Sequence, residues 1–327
     1  MTVQTALQQG CRLLEEAGIA VPRLTAEVLL CHSLGREREY LYSHPEAELG
    51  EVVRVHYGRY LHERLQGKPT QYITKQQEFY GREFTVTPDV LIPRPETEHV
   101  VEAALTRASG AHRIADVGCG SGAIAVTLAL ELGSEVSSHL AADKTVGVAS
   151  KTACSTTGLR AAGRQTCNAG GRAGSLSSGC GSAPACEVYG SDISTAALAV
   201  AAANARRLGA RVHFVACDLV SAFAPGSVDM IVSNPPYVPL TDAPGLQREV
   251  RDWEPHLALF GGETGLDIYC RLVGDAERVL APGGTFIVEL GFKASERVRA
   301  MLGPRWHDIE LLPDLAGIPR VLAARLG

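Results

Sequence analysis

Nothing in this sequence is long and apolar enough to span a bilayer. Stretches such as AIAVTLAL and AALAVAAA fall well short of the roughly 20 residues that a spanning helix needs. A secretory leader is not expected either. The start, MTVQTALQQGCRLLEEAG, lacks a basic n-region and carries Glu15 and Glu16 where a signal peptide is apolar. The nine cysteines include no CxxC pair, so no metal site or disulfide framework is expected, and a reduced, cytoplasmic setting is. Excess positive charge is missing as well. With 31 Lys and Arg against 36 Asp and Glu, the net charge of −5 argues against a chain that lives on nucleic-acid phosphates.

One segment is poor in almost everything a core requires. Between Asp143 and Glu187 there is no acidic and no aromatic residue; Gly, Ala, Ser, Thr and Cys dominate, with Lys144, Lys151, Arg160, Arg164 and Arg172 interspersed. Such a composition buries too little apolar area to offset its ordering entropy. Residues 134–184 therefore read as a low-complexity insertion. Its cysteines, Cys154, Cys167, Cys180 and nearby Cys186, lack the paired spacing of a zinc site.

What remains is the composition of a globular protein, with 46% hydrophobic and 20% charged residues over 327 positions. Residues 1–67 place Leu, Val and Ala among charges at helical spacing, in TALQQGCRLLEEAG, RLTAEVLLCHSLG and HYGRYLHERLQG. Gly18 and Gly35 stand where helix stops belong. This helical unit holds no cluster of chemistry-bearing residues and reads as a docking domain. Residues 68–95 are β-rich, with Gly81 between aromatic runs, and predict a connecting β-hairpin. From 96 to 327, the apolar runs RIADV, EVYGS, RVHFVA, VDMIVS and GTFIVEL alternate with the helical patterns AIAVTLALEL, AALAVAAANARRL and LDIYCRLVGDAERVL. That alternation predicts an α/β fold with a Rossmann-like, mostly parallel sheet. DIELL and RVLAAR bring the strands to seven and read as closing edge strands.

Gly118, Gly120 and Gly122 in ADVGCGSGAIAV follow one of these strands and open a helix, the context in which a ligand approaches bare backbone. Because Ala123 completes GxGxxA, a nicotinamide enzyme stays open at this point, as does a nucleotide-binding module without turnover. The next strand ends in Asp192, placed to accept from ribose hydroxyls. It lies 70 residues beyond Gly122, and removing the insertion restores the usual gap of about 20. The third strand ends at Asp218-Leu219, where Asp218 could face an adenine amino group or merely cap a helix. Two rim acids suit a nucleoside with an amino-acid tail, S-adenosylmethionine, better than a dinucleotide.

The fourth strand stops at Asn234-Pro235-Pro236-Tyr237. Two prolines remove two backbone donors and fix two φ angles, so the ladder cannot continue. The Asn234 side-chain carbonyl and the Pro235 backbone carbonyl then make two acceptors able to clasp an NH2 group, with Tyr237 free to stack on a planar amide. Acceptors on both N–H bonds stabilise the positive charge that grows on a nitrogen as it is alkylated.

IPRPETE (Ile92 to Glu98), DVGCGSGAIA, NPPY and EPHLALFGGETGLDIY (Glu254 to Tyr269) together resemble the release factor glutamine methyltransferase family, PrmC or HemK. The resemblance covers nearly the whole chain outside the insertion. It implies a class I methyltransferase fold with S-adenosylmethionine as cofactor. The implied reaction methylates the side-chain amide of the glutamine in the GGQ loop of class I peptide chain release factors. It also implies that Gly118, Cys119, Gly120, Ser121, Gly122 and Asp192 hold the cofactor, with Asp218, Leu219 and Asn234 expected beside it, and that Asn234 to Tyr237 hold the substrate amide. Leu219 stands where many members have an aromatic residue, which predicts a different contact to the adenine face. Two other methyltransferase readings share much of this pattern: a ribosomal-protein glutamine enzyme, and a DNA amine enzyme disfavoured by charge and by the lack of a target-reading domain. Trp253 and His256 read as pocket wall and structural hydrogen-bonder, and Pro93, Arg94 and Pro95 as a rigid corner with Glu96 in the first turn of a helix. Glu289, ending the fifth strand of the run, receives no role.

Overall fold

The computed structural model describes residues 1–133 and 186–327. The predicted insertion at 134–184 lies outside the described residues.

The N-terminal part is helical: α1 (Val3–Glu16), α2 (Pro22–Leu34), α3 (Arg38–Ser43) and α4 (Glu51–Leu65). Thr2 caps α1 by accepting from the Thr5 N–H, and Gly35 ends α2 in the left-handed region at φ 62°. Leu14, Leu29, Leu30, Leu41 and Leu61 converge in one core from all four helices. The short helix α3, and α5 (Thr70–Thr74) just beyond the bundle, carry too few turns for apolar spacing to reveal them. The predicted hairpin is present as β1 (Gln76–Phe79) and β2 (Arg82–Thr85), antiparallel about Tyr80-Gly81. It is shorter than the β-rich stretch, because residues 70–74 are helical.

The remainder forms a seven-stranded sheet. After a 3₁₀ turn at Pro95–Thr97 come α6 (Glu98–Arg107), β3 (Arg113–Val117), α7 (described over residues 123–133), β4 (Glu187–Asp192), α8 (Thr195–Leu208), β5 (Val212–Ala216) and β6 (Val228–Ser233). Then follow α9 (Arg248–Trp253), α10 (His256–Leu259), α11 (Asp267–Val279), β7 (Leu280–Glu289), α12 (Ser295–Arg299), β8 (Trp306–Pro313) and β9 (Pro319–Leu326). Spatial order is β5-β4-β3-β6-β7-β9-β8, with β3 to β7 parallel and β9 antiparallel to both its neighbours, β7 and β8. Successive strand residues face opposite layers. Ala115 and Val117 join the core under α11 and α12, while Ile114 joins the core under α6, α7 and the hairpin.

One expectation is corrected. RVLAAR does not close an edge: β9 lies between β7 and β8, and Val321 to Ala324 are fully buried. Its unbroken VLAA run is that of a strand covered on both faces, and the edges are β5 and β8.

Candidate active site

Strand order reverses at β3, which pairs with β4 on one side and β6 on the other. At such a switch point the loops after neighbouring strands splay apart, leaving a crevice at the carboxyl ends. The glycine loop follows β3 and Asn234 follows β6, so the topology puts both at one crevice. Ser233 Oγ donates to Val117 O at 2.7 Å, stitching the two strand ends together.

The glycine loop is held from below by β4. Gly118 N–H and Cys119 N–H both donate to Ser191 O, at 2.8 and 2.9 Å, and Gly120 N–H donates to Asp192 Oδ2 at 2.9 Å. These three N–H groups therefore point into the fold, and the face left open at Gly118 and Gly120 is bare Cα. Gly118 and Gly120 have φ of +72° and +53°, and added Cβ atoms there would meet nothing within 4 Å. At Gly122 an added Cβ would come within 3.0 Å of Ala201 Cβ, so that glycine serves the close packing of loop on α8. Ser121 is buried, with its carbonyl accepting from Asn204 Nδ2 at 3.0 Å. Cys119 is buried beside Leu198, Ala201 and Phe214, and burial pushes its thiol well up.

Asp192 stands at the carboxyl end of β4, and both its oxygens already hold backbone. Oδ2 accepts from Gly120 N–H and Oδ1 from Ser194 N–H at 2.9 Å, which leaves one lone pair on each for a ligand. Asp218 accepts from Arg271 Nη2 at 2.6 Å in a half-exposed ion pair. Leu219 adopts φ 50° and packs on the core under α11, while its carbonyl accepts from Ser191 Oγ at 2.9 Å.

At the Asn234 turn, the Asn234 Nδ2 group donates inward to Thr97 Oγ1 at 3.0 Å. Thr97 in turn donates to Glu289 Oε2 at 2.6 Å, and Tyr237 OH donates to Glu289 Oε1 at 3.1 Å. Among the described residues no donor reaches Asn234 Oδ1 or Pro235 O. The two acceptors are thus not turned back upon their own backbone. Tyr237 packs its ring on Gly291, and burial together with Glu289 pushes its phenol up, so it stays a donor. Glu289 is itself buried, and burial pushes its carboxyl up to about 7.

The segment after α9 buttresses this turn with glycine. Val238 N–H donates to Leu259 O and Gly261 N–H to Val238 O, at 2.9 and 3.0 Å. An added Cβ at Gly261 would sit 2.5 Å from Pro236 O, and one at Gly265, whose φ is +73°, would strike Tyr237 O. Gly265→Ala should therefore cost about 1–3 kcal/mol, from left-handed strain plus displacement of the turn. Methyl-transfer rate should fall further than stability alone explains. Denaturant melts and single-turnover rates on the same preparation check this; an unchanged rate would mean the glycine merely folds the loop.

The residues that support the site, Thr97, Glu289, Glu254 and Asp116, are not legible in the sequence as its partners. Thr97 belongs to IPRPETE, whose Arg94 Nη2 donates to buried Glu254 Oε1 at 2.5 Å, with Ile92 N–H reaching Oε2 at 3.4 Å. Burial raises the Glu254 carboxyl and Arg94 opposes it. Asp116, fully buried at the end of β3, accepts from Ala125 N–H at 3.0 Å, and burial pushes it up to about 7. His256 meets its expectation, bonding Arg251 O through Nε2 at 2.9 Å, and Trp253 packs against the cluster of Tyr72, Val90 and Ile92.

Comparison with known proteins bears on this geometry. A family model described as the PrmC N-terminal domain matches residues 5–74, and one for the methyltransferase small domain matches 156–244. A release factor glutamine methyltransferase of Koribacter versatilis is 41% identical, over 99% of this chain and 99% of its own. The chain belongs to the release factor glutamine methyltransferase family. Relatives of that name from Nitratidesulfovibrio vulgaris and Moorella thermoacetica are 35% and 36% identical, over 99% of this chain and 95% and 98% of theirs. The family match thus spans helical part, hairpin and sheet alike. Among the described residues, no helix is long and apolar enough to cross a membrane, and no group of three His, Cys, Asp or Glu could hold a metal.

Proposed function

We propose that this protein transfers a methyl group from S-adenosylmethionine to the side-chain amide nitrogen of the glutamine in the GGQ motif of class I peptide chain release factors, in the cytoplasm. The observation that carries the reading is the pair of unclaimed acceptors, Asn234 Oδ1 and Pro235 O, at the switch point of a sheet from this family. The relatives' name favours a release factor over a ribosomal protein or DNA as substrate.

The residues present fit the cofactor. Gly118 and Gly120 leave an open, side-chain-free face above β3, and Asp192 keeps a lone pair on each oxygen beside it. When bound, S-adenosylmethionine supplies the electrophilic methyl carbon. Asn234 Oδ1 and Pro235 O take the two amide N–H bonds of the glutamine and fix the nitrogen's orientation. They also stabilise the positive charge growing there in the transition state. Tyr237, anchored through its hydroxyl, offers its ring as a wall for the planar amide. No base is required, since the alkylated nitrogen gives its extra proton to water. The helical domain at 1–67 is assigned to substrate docking.

Labelled S-adenosylmethionine offered in parallel with release factor, ribosomal protein and duplex DNA tests the reading. Label on the release factor glutamine is expected, and label only on another acceptor would overturn it. Asp192→Ala should weaken cofactor binding about 10-fold or more, the worth of a charged hydrogen bond. Calorimetry with S-adenosylhomocysteine measures this, and an unaltered Kd would remove Asp192 from the cofactor site.

A further inference from the structure

We propose that Glu289, through Thr97, is a positioning residue that fixes which end of the Asn234 amide faces the substrate. The inference rests on the reading of Asn234 as the amide clasp, and it concerns a group 55 positions away that touches neither substrate nor cofactor in that reading.

An asparagine amide is nearly symmetric in shape but opposite in chemistry at its two ends. Oxygen outward, it accepts from the glutamine NH2; nitrogen outward, it presents a second donor and repels it. The choice is set by whatever the inner end meets. Here the inner end meets Thr97 Oγ1, a hydroxyl with one hydrogen and two lone pairs, able to play either part. That ambiguity is removed by Glu289. As a carboxylate it is acceptor only, so it takes the Thr97 hydrogen at 2.6 Å. Thr97 then has only lone pairs left for Asn234, the Nδ2 group turns inward, and Oδ1 faces out. The second carboxylate oxygen performs the same service for Tyr237, taking its hydroxyl hydrogen at 3.1 Å. Both Glu289 and Thr97 are buried, at 2% and 4% exposure, so water does not compete for these bonds. One carboxylate thus orients both polar side chains of the NPPY turn.

Adding a proton to Glu289 reverses the logic. A carboxylic acid must donate from one oxygen. Donating to Thr97, it frees the Thr97 hydrogen to point at Asn234, and the amide turns over. Donating to Tyr237, it reverses that bond and leaves the Tyr237 hydrogen to find another acceptor. Around the carboxyl stand Tyr237 from the turn, Tyr269 of α11, whose hydroxyl bonds the Glu289 carbonyl at 2.8 Å, Glu96 before α6 and Arg320 of β9. Burial raises the Glu289 carboxyl, Glu96 adds to it, and Thr97, Tyr237 and Arg320 pull it back, for a value of about 7. Because the folded value lies above the free one, the protonated form favours folding. That contribution is fully present below the ordinary glutamate value and is lost as pH rises through about 7. The form that orients Asn234 is therefore the one that folding disfavours.

The test combines variants with two readouts. In the wild type, kcat on a full-length release factor should fall as pH drops from about 8.5 to about 5.5, while KM for S-adenosylmethionine holds. Glu289→Gln should lower kcat about 10²-fold and lose that limb, because a neutral amide must both donate and accept at every pH. Thr97→Val should match it, the two together should be no worse than either, and Thr97→Ser should restore most of the rate. Heteronuclear NMR of the Asn234 side-chain NH2, which needs no substrate, should titrate with Glu289 in the wild type and stay fixed in Glu289→Gln. Cofactor affinity and thermal melts guard against unfolding. A wild-type limb that persists in Glu289→Gln, or an Asn234 signal indifferent to pH, overturns the proposal. Should the wild type methylate no glutamine at all, the functional reading falls, while the NMR titration still decides the relay.

Discussion

Asn234→Ala is expected to lower the methyl-transfer rate about 10²–10³-fold while leaving the cofactor Kd within error, since one placed transition-state acceptor is worth that much. The substitution removes Oδ1, one half of the clasp, and leaves Pro235 O to hold a single N–H. What it removes inward is smaller. Thr97 loses a donor to its lone pair but keeps its bond to Glu289, so the fold should lose only about 1 kcal/mol. Rate and stability are therefore expected to part company, which distinguishes a clasp from a strut. Asn234→Asp is the sharper companion. It keeps an acceptor but removes the donor to Thr97 and sets a second carboxylate close to buried Glu289, which raises the proton affinity of both. Its rate should lie between wild type and alanine and should depend on pH more steeply than either. Single-turnover transfer of a labelled methyl group measures the rate and calorimetry the affinity. An alanine variant within threefold of wild type would end the role of this side chain.

The strand ends that build the crevice are legible in the sequence because each apolar run gives way there to glycine, an acid or proline, residue types that are poor strand formers. Glycine after β3, Asp192 as the last residue of β4 and the prolines after β6 mark one edge of the sheet. Two prolines after a buried strand demand a donor-free turn, and the unclaimed acceptors are the consequence. What supports those residues was not readable. Thr97 and Glu289 stand 192 positions apart and meet only because α6 and β7 pack together. Glu289 looked like the polar end of an apolar strand, and Thr97 like one residue of an N-terminal turn. The acid at Asp192 was found by spacing, yet its hold on the glycine loop was not, since a carboxylate offers four lone pairs and spacing shows none of them. RVLAAR reads as an edge strand for a different reason. An antiparallel strand inserted between β7 and β8 has the same short apolar run as an edge strand in a small sheet, and only its lack of alternation set it apart.

Arg94→Ala should destabilise the protein by about 2 kcal/mol at neutral pH, below the usual order for a fully buried pair because the Arg94 side chain is itself 32% exposed. Glu254 is 3% exposed, and without Arg94 its carboxyl retains only the long bond from Ile92 N–H at 3.4 Å. Its pKa is already raised by burial, with Arg94 the main opposing influence, so the variant should raise it further. The sign of the pH effect follows. A group whose folded pKa lies above its unfolded value adds stability below the unfolded value and loses it as pH rises through the folded one. The penalty of Arg94→Ala should thus be small in mild acid, where Glu254 takes up a proton, and grow toward alkaline pH. Arg94→Ala combined with Glu254→Gln should recover much of the loss, since no charge is then stranded, and a double-mutant cycle in denaturant gives the coupling directly. Function should suffer beyond stability, because this pair clamps the IPRP corner that delivers Thr97 to Asn234 onto the segment that buttresses Pro236 and Tyr237. Methyl transfer measured well below the melting temperature should therefore fall in the single variant and return only in part in the double one. If the penalty proves independent of pH, Glu254 is uncharged in the native protein and the corner is held by packing instead.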